Sequence, residues 1–398
     1  MNTAELPRSL EWIERLVRFD TTSRLSNLGL IETVRDHLVS VGLAPRLIYN
    51  ADGKKANLFV TVPAHDGGTQ GGVVLSGHTD VVPVDGQAWS SDPFAPEVRD
   101  GRLYGRGTCD MKGFIGTALA MLPAFTLRRL RVPLHLALSY DEEVGCLGAD
   151  AMLRELARLE IRPDSCIVGE PTEMRVISAH KSSNLYRCTV HGHAAHSSLT
   201  PRGVNAIEYA ARAICHIRDM ADGHRQSGPF DHDFEVPYTT ANTGTISGGL
   251  SVNTIPDRCQ FEFEFRTIPG VLAPDVIGGL RRYITGELRD RIKAENPQAD
   301  IKLEALAEVP GFDTAAAAEI SQLAQALTGS RGTEKVAYCT EAGLFQRAGM
   351  TAVICGPGNL QQAHRPDEYV ALAQISLCEQ FMEKLAGHLA IAGPSIDR

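Results

Sequence analysis

Positive charge is in short supply in this chain: 39 lysines and arginines stand against 48 aspartates and glutamates, for a formal net charge of -9. That balance offers no basic surface of the kind that holds nucleic acid. No run approaches the roughly 20 apolar residues that a membrane span needs. The first residues, MNTAELPRSLEWIERLVRF, lack the basic start and unbroken apolar stretch of a secretory leader, because Glu11 and Glu14 interrupt them. Paired cysteine spacing is missing as well. The nine cysteines are scattered, with no C-x-x-C, which predicts reduced, mostly buried thiols in a cytoplasmic protein. Cys109, beside a candidate ligand, reads as one of these rather than as a reactive thiol. No repeat is present, and the one low-complexity segment is the GGTQGG turn at Gly67–Gly72.

What remains is an ordinary globular composition, 43% hydrophobic and 22% charged over 398 residues, long enough for two domains. Leu10, Ile13, Leu16 and Val17 recur at helical spacing, and a second amphipathic helix covers Ile31–Val41. Apolar runs at Asn57–Val62, Val73–Gly77, Leu134–Ser139 and Ser165–Val168 read as buried strands, with helical segments after Asp110 and Gly148. Strands alternating with helices predict an α/β domain with a mainly parallel sheet. Near Lys181 the pattern changes. Strands at Leu185–Val190, Thr239–Ile246, Arg258–Thr267 and Ile301–Leu306, with helices at Val204–Met220 and Pro274–Arg289, give the order βαββαβ of a ferredoxin-like module. After Gly311 the α/β pattern returns, with a helix near Thr314–Leu327, the strand Thr351–Cys355 and a final helix. The second domain is therefore expected to be inserted into the first.

Polar residues of one kind follow the apolar strands. LSGHTDVVP puts His78 and Asp80 at a strand end; imidazole there is a good metal ligand, and a neighbouring carboxylate can fix its tautomer. A capped, solvated strand end is the plainer alternative. Asp110 in YGRGTCDMKG precedes an apolar helix and fits an N-cap, yet its carboxylate could also bridge two ions. Asp141, Glu142 and Glu143 form either a solvated acidic turn or a ligand beside a general base, since three adjacent acids call for a neutralising cation. Glu170 follows a strand in CIVGEPT, and His364 follows another after a glycine-rich turn; each alone is a loop residue. Taken together, they gather where α/β folds place their sites, and two histidines with three carboxylates suit two zinc-like ions.

GHTDVVP, YGRGTCDMKG, DEEVG, GEPT, HSSLTPRGVNAI, NTIPD and CGPGNLQQAHRPDEY resemble the dinuclear zinc aminoacylase and carboxypeptidase family over nearly the whole chain. Within it, GEPT, AHKS and YCTEA favour the acetylornithine-deacetylating branch over the dipeptidases. The resemblance implies a zinc-exopeptidase-like catalytic domain, residues 1–181 and 309–398, interrupted by a ferredoxin-like lid and dimerisation domain at 182–308. It implies two divalent ions, zinc or cobalt, bridged by Asp110, with His78 and Glu170 on one and Glu143 and His364 on the other. Asp80 would support His78, Glu142 would be the general base, and the Asp110–Met111 peptide would be cis. His196 would act across a homodimer on the oxyanion. Arg266 and Asn253 would hold the carboxylate of an N-acyl amino acid. From the residues alone, Arg266 reads as a salt-bridge partner on an alternating strand and Asn253 as an ordinary turn residue. Glu341, a helix-start acid, is a candidate contact for a basic substrate side chain. His191 and His193 fit no standard ligand spacing and read as bystanders. Rivals for the activity are a desuccinylase, another N-acyl amino acid deacetylase, a dipeptidase or a non-catalytic amino-acid-binding protein; intact Glu142 argues against the last.

Overall fold

The computed structural model describes residues 6–391, which divide into two compact units. Among the described residues the larger comprises 6–179, 313–335 and 340–391; the smaller comprises His180–Phe312 and Val336–Cys339. The sequence-based boundaries lie at 181/182 and 308/309, and the smaller unit also takes in the short later segment Val336–Cys339.

The core of the larger unit is a sheet whose strands run, in spatial order, Arg46–Tyr49, Ala56–Val62, Leu134–Ser139, Val73–His78, Ser165–Pro171 and Thr351–Gly356. The first two joins are antiparallel and the next three parallel. Every residue of Val73–His78, Leu134–Ser139 and Ser165–Pro171 is buried, which is why these strands read as continuous apolar runs rather than alternating ones. Leu28–Ser40 turns Leu30, Ile31, Val34 and Leu38 inward at helical spacing. Helix Lys112–Ala120 is buried on nearly every side. Its Phe114 ring lies against Gly169, where a Cβ would come within 2.0 Å of Phe114 Cγ. The glycine of the GEPT motif is thus the gap that lets this helix pack directly on the strand carrying Glu170. Because four neighbouring strands run parallel, their C-terminal ends deliver His78, the acids after Ser139, Glu170 and the loop after Gly356 to one edge of the sheet.

The smaller unit is an antiparallel sheet in the order Thr240–Gly248, Arg258–Arg266, Ser183–His191 and Asp300–Val309. With helix Ala206–Ser227 and the helical stretch from Ala273 to Glu295, this is the ferredoxin-like arrangement. Period-two alternation builds its separate core: Tyr186, Cys188 and Val190 on one strand lie with Phe261, Phe263 and Phe265 on the next. The Tyr186 ring stacks on Phe263 and Phe265 at 5.7 and 5.9 Å.

Two helix predictions need correction. The Val204–Met220 expectation becomes Ala206–Ser227, because Asn205 caps the start by accepting hydrogen bonds from the Ile207 and Glu208 N–H groups at 3.0 and 3.3 Å. The helix expected near Thr314–Leu327 begins at Glu319, after the strand Phe312–Asp313 and a turn closed by the Ala318 N–H on the Ala315 carbonyl at 2.9 Å.

Candidate metal centre

His78 ends its strand with 1% of its surface exposed. Its Nδ1 lies 2.9 Å from the Asp80 backbone carbonyl, a group that can only accept. Nδ1 therefore carries a proton, and Nε2 faces the carboxylates. That Nε2 is 2.9 Å from Asp110 Oδ1 and 3.7 Å from Glu170 Oε1. On the other side, His364 Nε2 lies 3.1 Å from Asp110 Oδ2 and 3.2 Å from Glu143. The structure thus brings the five ligand candidates into two groups, His78–Asp110–Glu170 and Asp110–Glu143–His364, each with donor atoms within 4.8 Å of one another. Asp110 belongs to both, one oxygen to each. Among the described residues these are the groupings able to hold an ion, and His191 and His193 belong to neither.

The charge balance fits two cations. Burial, with the charge of Asp110, pushes the Glu170 carboxyl well above its ordinary value. Glu142 is raised in the same way, by burial first and then by Glu143 and Glu341, against the opposing pull of His78. Hydrogen bonds to Asp110 and then Glu143 push His364 up to about 11. A cluster that draws in protons this strongly is one that bound cations would neutralise instead. Nitrogen and carboxylate donors without thiolate suit zinc and its first-row neighbours.

The chain around these groups is shaped to hold them. Gly107 and the turn ahead of helix Lys112–Ala120 carry Asp110, followed by a cis Asp110–Met111 peptide. Asp141 takes a left-handed backbone with φ 55° and pairs with Lys55 at 2.5 Å. The Asp80 carboxylate accepts the N–H groups of Glu142 and Glu143 at 3.0 and 3.3 Å, and the Ser23 hydroxyl at 2.6 Å. Its nearer oxygen is 3.7 Å from His78 Nδ1, so in this structure Asp80 orients His78 through its carbonyl and the acidic turn through its side chain.

The model of peptidase family M20/M25/M40 matches residues 74–388. The chain belongs to this family. Among its M20 relatives, an acetylornithine deacetylase of Pasteurella multocida is 35% identical over 392 residues, covering 96% of this chain and 98% of that protein. An acetylornithine deacetylase of Edwardsiella ictaluri is 36% identical over 397 residues, covering 98% and 99%. The fold matches a tripeptidase from Staphylococcus aureus, with TM-score 0.72, 20% identity and coverage of 96% and 98%. It also matches an M20 metallo-carboxypeptidase from Sulfolobus solfataricus, with TM-score 0.70, 19% identity and coverage of 95% and 98%. This M20 chain is a metal-dependent hydrolase.

The remaining candidates fall elsewhere. His196, Asn253 and Arg266 belong to the smaller unit. His196 is exposed and caps a 3-10 turn, its Nδ1 accepting from Ser198 N at 3.2 Å. The Asn253 carbonyl accepts the Ser197 N–H at 3.0 Å, so these two loops are tied together. Arg266 pairs with Glu264 on its own strand at 2.9 Å. Glu341, in the larger unit, is 1% exposed and accepts from the hydroxyls of Ser139 and, at 3.2 Å, Ser76. Sequence reasoning passed over Arg106 and Glu368, both 1% exposed in their side chains and joined at 2.6 Å. Both lie inside quoted motifs, but charged residues in turns read as solvated until burial is known.

Proposed function

We propose that this protein removes the acyl group from N-acyl amino acids, with N2-acetyl-L-ornithine as its substrate and L-ornithine and acetate as products, a step of arginine biosynthesis. The observation that carries the reading is the Asp110 carboxylate shared by two ligand groups, one oxygen to each. The acetylornithine assignment rests on relatives of that name at 35–36% identity over nearly the full chain.

Two divalent ions, zinc or cobalt, would be held by His78, Asp110, Glu143, Glu170 and His364, and would supply Lewis acidity toward the acyl oxygen and an acidified water. Glu142 takes the water's proton and returns it to the leaving amine. Arg266 and Asn253 hold the substrate carboxylate, and His196 steadies the oxyanion from the second copy of a homodimer. Glu341 acts on a basic substrate side chain through its charge, since strand serines engage both of its oxygens. The compartment we infer is the cytoplasm, a reading supported by the scattered spacing of the nine cysteines, with no C-x-x-C.

A hydrolysis panel of N-acetyl and N-succinyl amino acids, with added zinc or cobalt, tests the assignment. N2-acetylornithine should give the highest kcat/KM. A succinylated substrate or a dipeptide turned over faster would replace it with one of the rival activities.

A further inference from the structure

A charged network, buried at Arg106 and Glu368 and open to solvent where Gln87 meets His364, ties the loop that carries Asp110 to the loop that carries His364. The Glu368 carboxylate accepts the backbone N–H groups of Cys109 at 2.9 Å and Asp110 at 3.1 Å through one oxygen. Its other oxygen receives Arg106 Nη1 at 2.6 Å. The same Nη1 reaches the Arg365 carbonyl at 3.3 Å, and Nη2 donates to Gln87 Oε1 at 2.6 Å. Gln87 then donates from its amide to the His364 carbonyl at 3.0 Å. The chain of contacts therefore starts on the backbone of one ligand and ends on the backbone of another.

His364 needs such support more than the other ligands do. It is exposed, lies in no strand, and holds a left-handed backbone with φ 63°. His78 and Glu170, in contrast, are fixed by buried strands. We propose that Glu368, Arg106 and Gln87 are positioning residues that set His364 against Asp110, and so tune the affinity of the Asp110–Glu143–His364 position while leaving His78–Asp110–Glu170 nearly unchanged. The proposal rests on the two-ion reading of the site. Partners behind metal ligands commonly carry a 10- to 100-fold effect on affinity.

The test is a titration of chelator-stripped protein with zinc against a chromophoric competitor, which reads binding without turnover. Wild type should take up two ions. Gln87→Ala, at a half-buried position and with both charged partners intact, should weaken the second ion by about 10-fold and the first by less than about 3-fold. Glu368→Gln, which keeps an acceptor for the two N–H groups, should act on the second ion at least as strongly. Cobalt-loaded samples should show the same split in their visible absorption, with the bands of one equivalent altered. Equal weakening of both ions, or unchanged binding of the second in a folded Gln87→Ala, overturns the positioning role. Wild type binding fewer than two ions overturns the two-ion reading itself.

Discussion

Glu142 and Glu143 are neighbours to which we assign different tasks, on the ground of what each faces. Glu143 lies against His364 at 3.2 Å, whereas among the described residues no imidazole pairs with Glu142, whose carboxylate takes the Cys146 thiol at 3.4 Å. Glu142→Ala should therefore keep both ions by metal analysis while kcat falls by about 100- to 10,000-fold. Loss of an ion in that variant would make Glu142 a ligand. Glu341→Gln removes charge but keeps a hydrogen-bonding group beside Ser76 and Ser139. It should lower the preference for acetylornithine over uncharged N-acetyl amino acids, and an unchanged ratio would remove Glu341 from the specificity argument. These two acids show the limit of sequence at this scale. Both were legible as candidates, but nothing in YCTEA indicated that Glu341 would be closed off under strand serines.

At the scale of elements, the buried strands and the two-residue alternation of the smaller unit were legible because apolar periodicity follows directly from which faces are covered. Helix starts were less so, since a single capping hydrogen bond decides them. Asn205→Ala should cost about 1 kcal/mol of stability, read as a lower denaturant midpoint. Phe263→Ala, at the centre of the stacked rings, should cost about 3–5 kcal/mol. His135 ties two segments of the larger unit, with Nε2 2.9 Å from the Gly71 carbonyl and Nδ1 2.9 Å from the Thr61 hydroxyl. Burial holds its pKa below the ordinary value, so the unfolded chain takes up the proton first. Its contribution is full above about pH 6.5 and declines as the pH falls below that value. Between pH 7.5 and 5.5 the urea midpoint of His135→Gln should drop less than that of wild type; an equal drop would assign the acid sensitivity to other groups.

For the whole molecule, the metal centre joins distant parts of the chain: His78, Asp110, Glu143, Glu170 and His364 meet only in the folded state. Ions bound there would stabilise the native form by an amount that grows with the logarithm of their concentration over the dissociation constant. Chelator-stripped protein should melt at a lower temperature than protein with added zinc and should lose activity until zinc or cobalt is restored. A melting temperature indifferent to zinc would count against occupancy of the centre.

The sequence by itself determined the donor types, their places after apolar strands and the βαββαβ order of the inserted module, because burial periodicity and side-chain chemistry are local properties. Only the tertiary structure decided that one oxygen of Asp110 turns to each ligand group, that Asp80 grips the acidic turn, and that Arg106 and Glu368 pair in the interior across 262 positions of sequence. Those outcomes depend on which side chains packing brings within a few ångströms and which it removes from water, and neither is encoded in the spacing of any one motif.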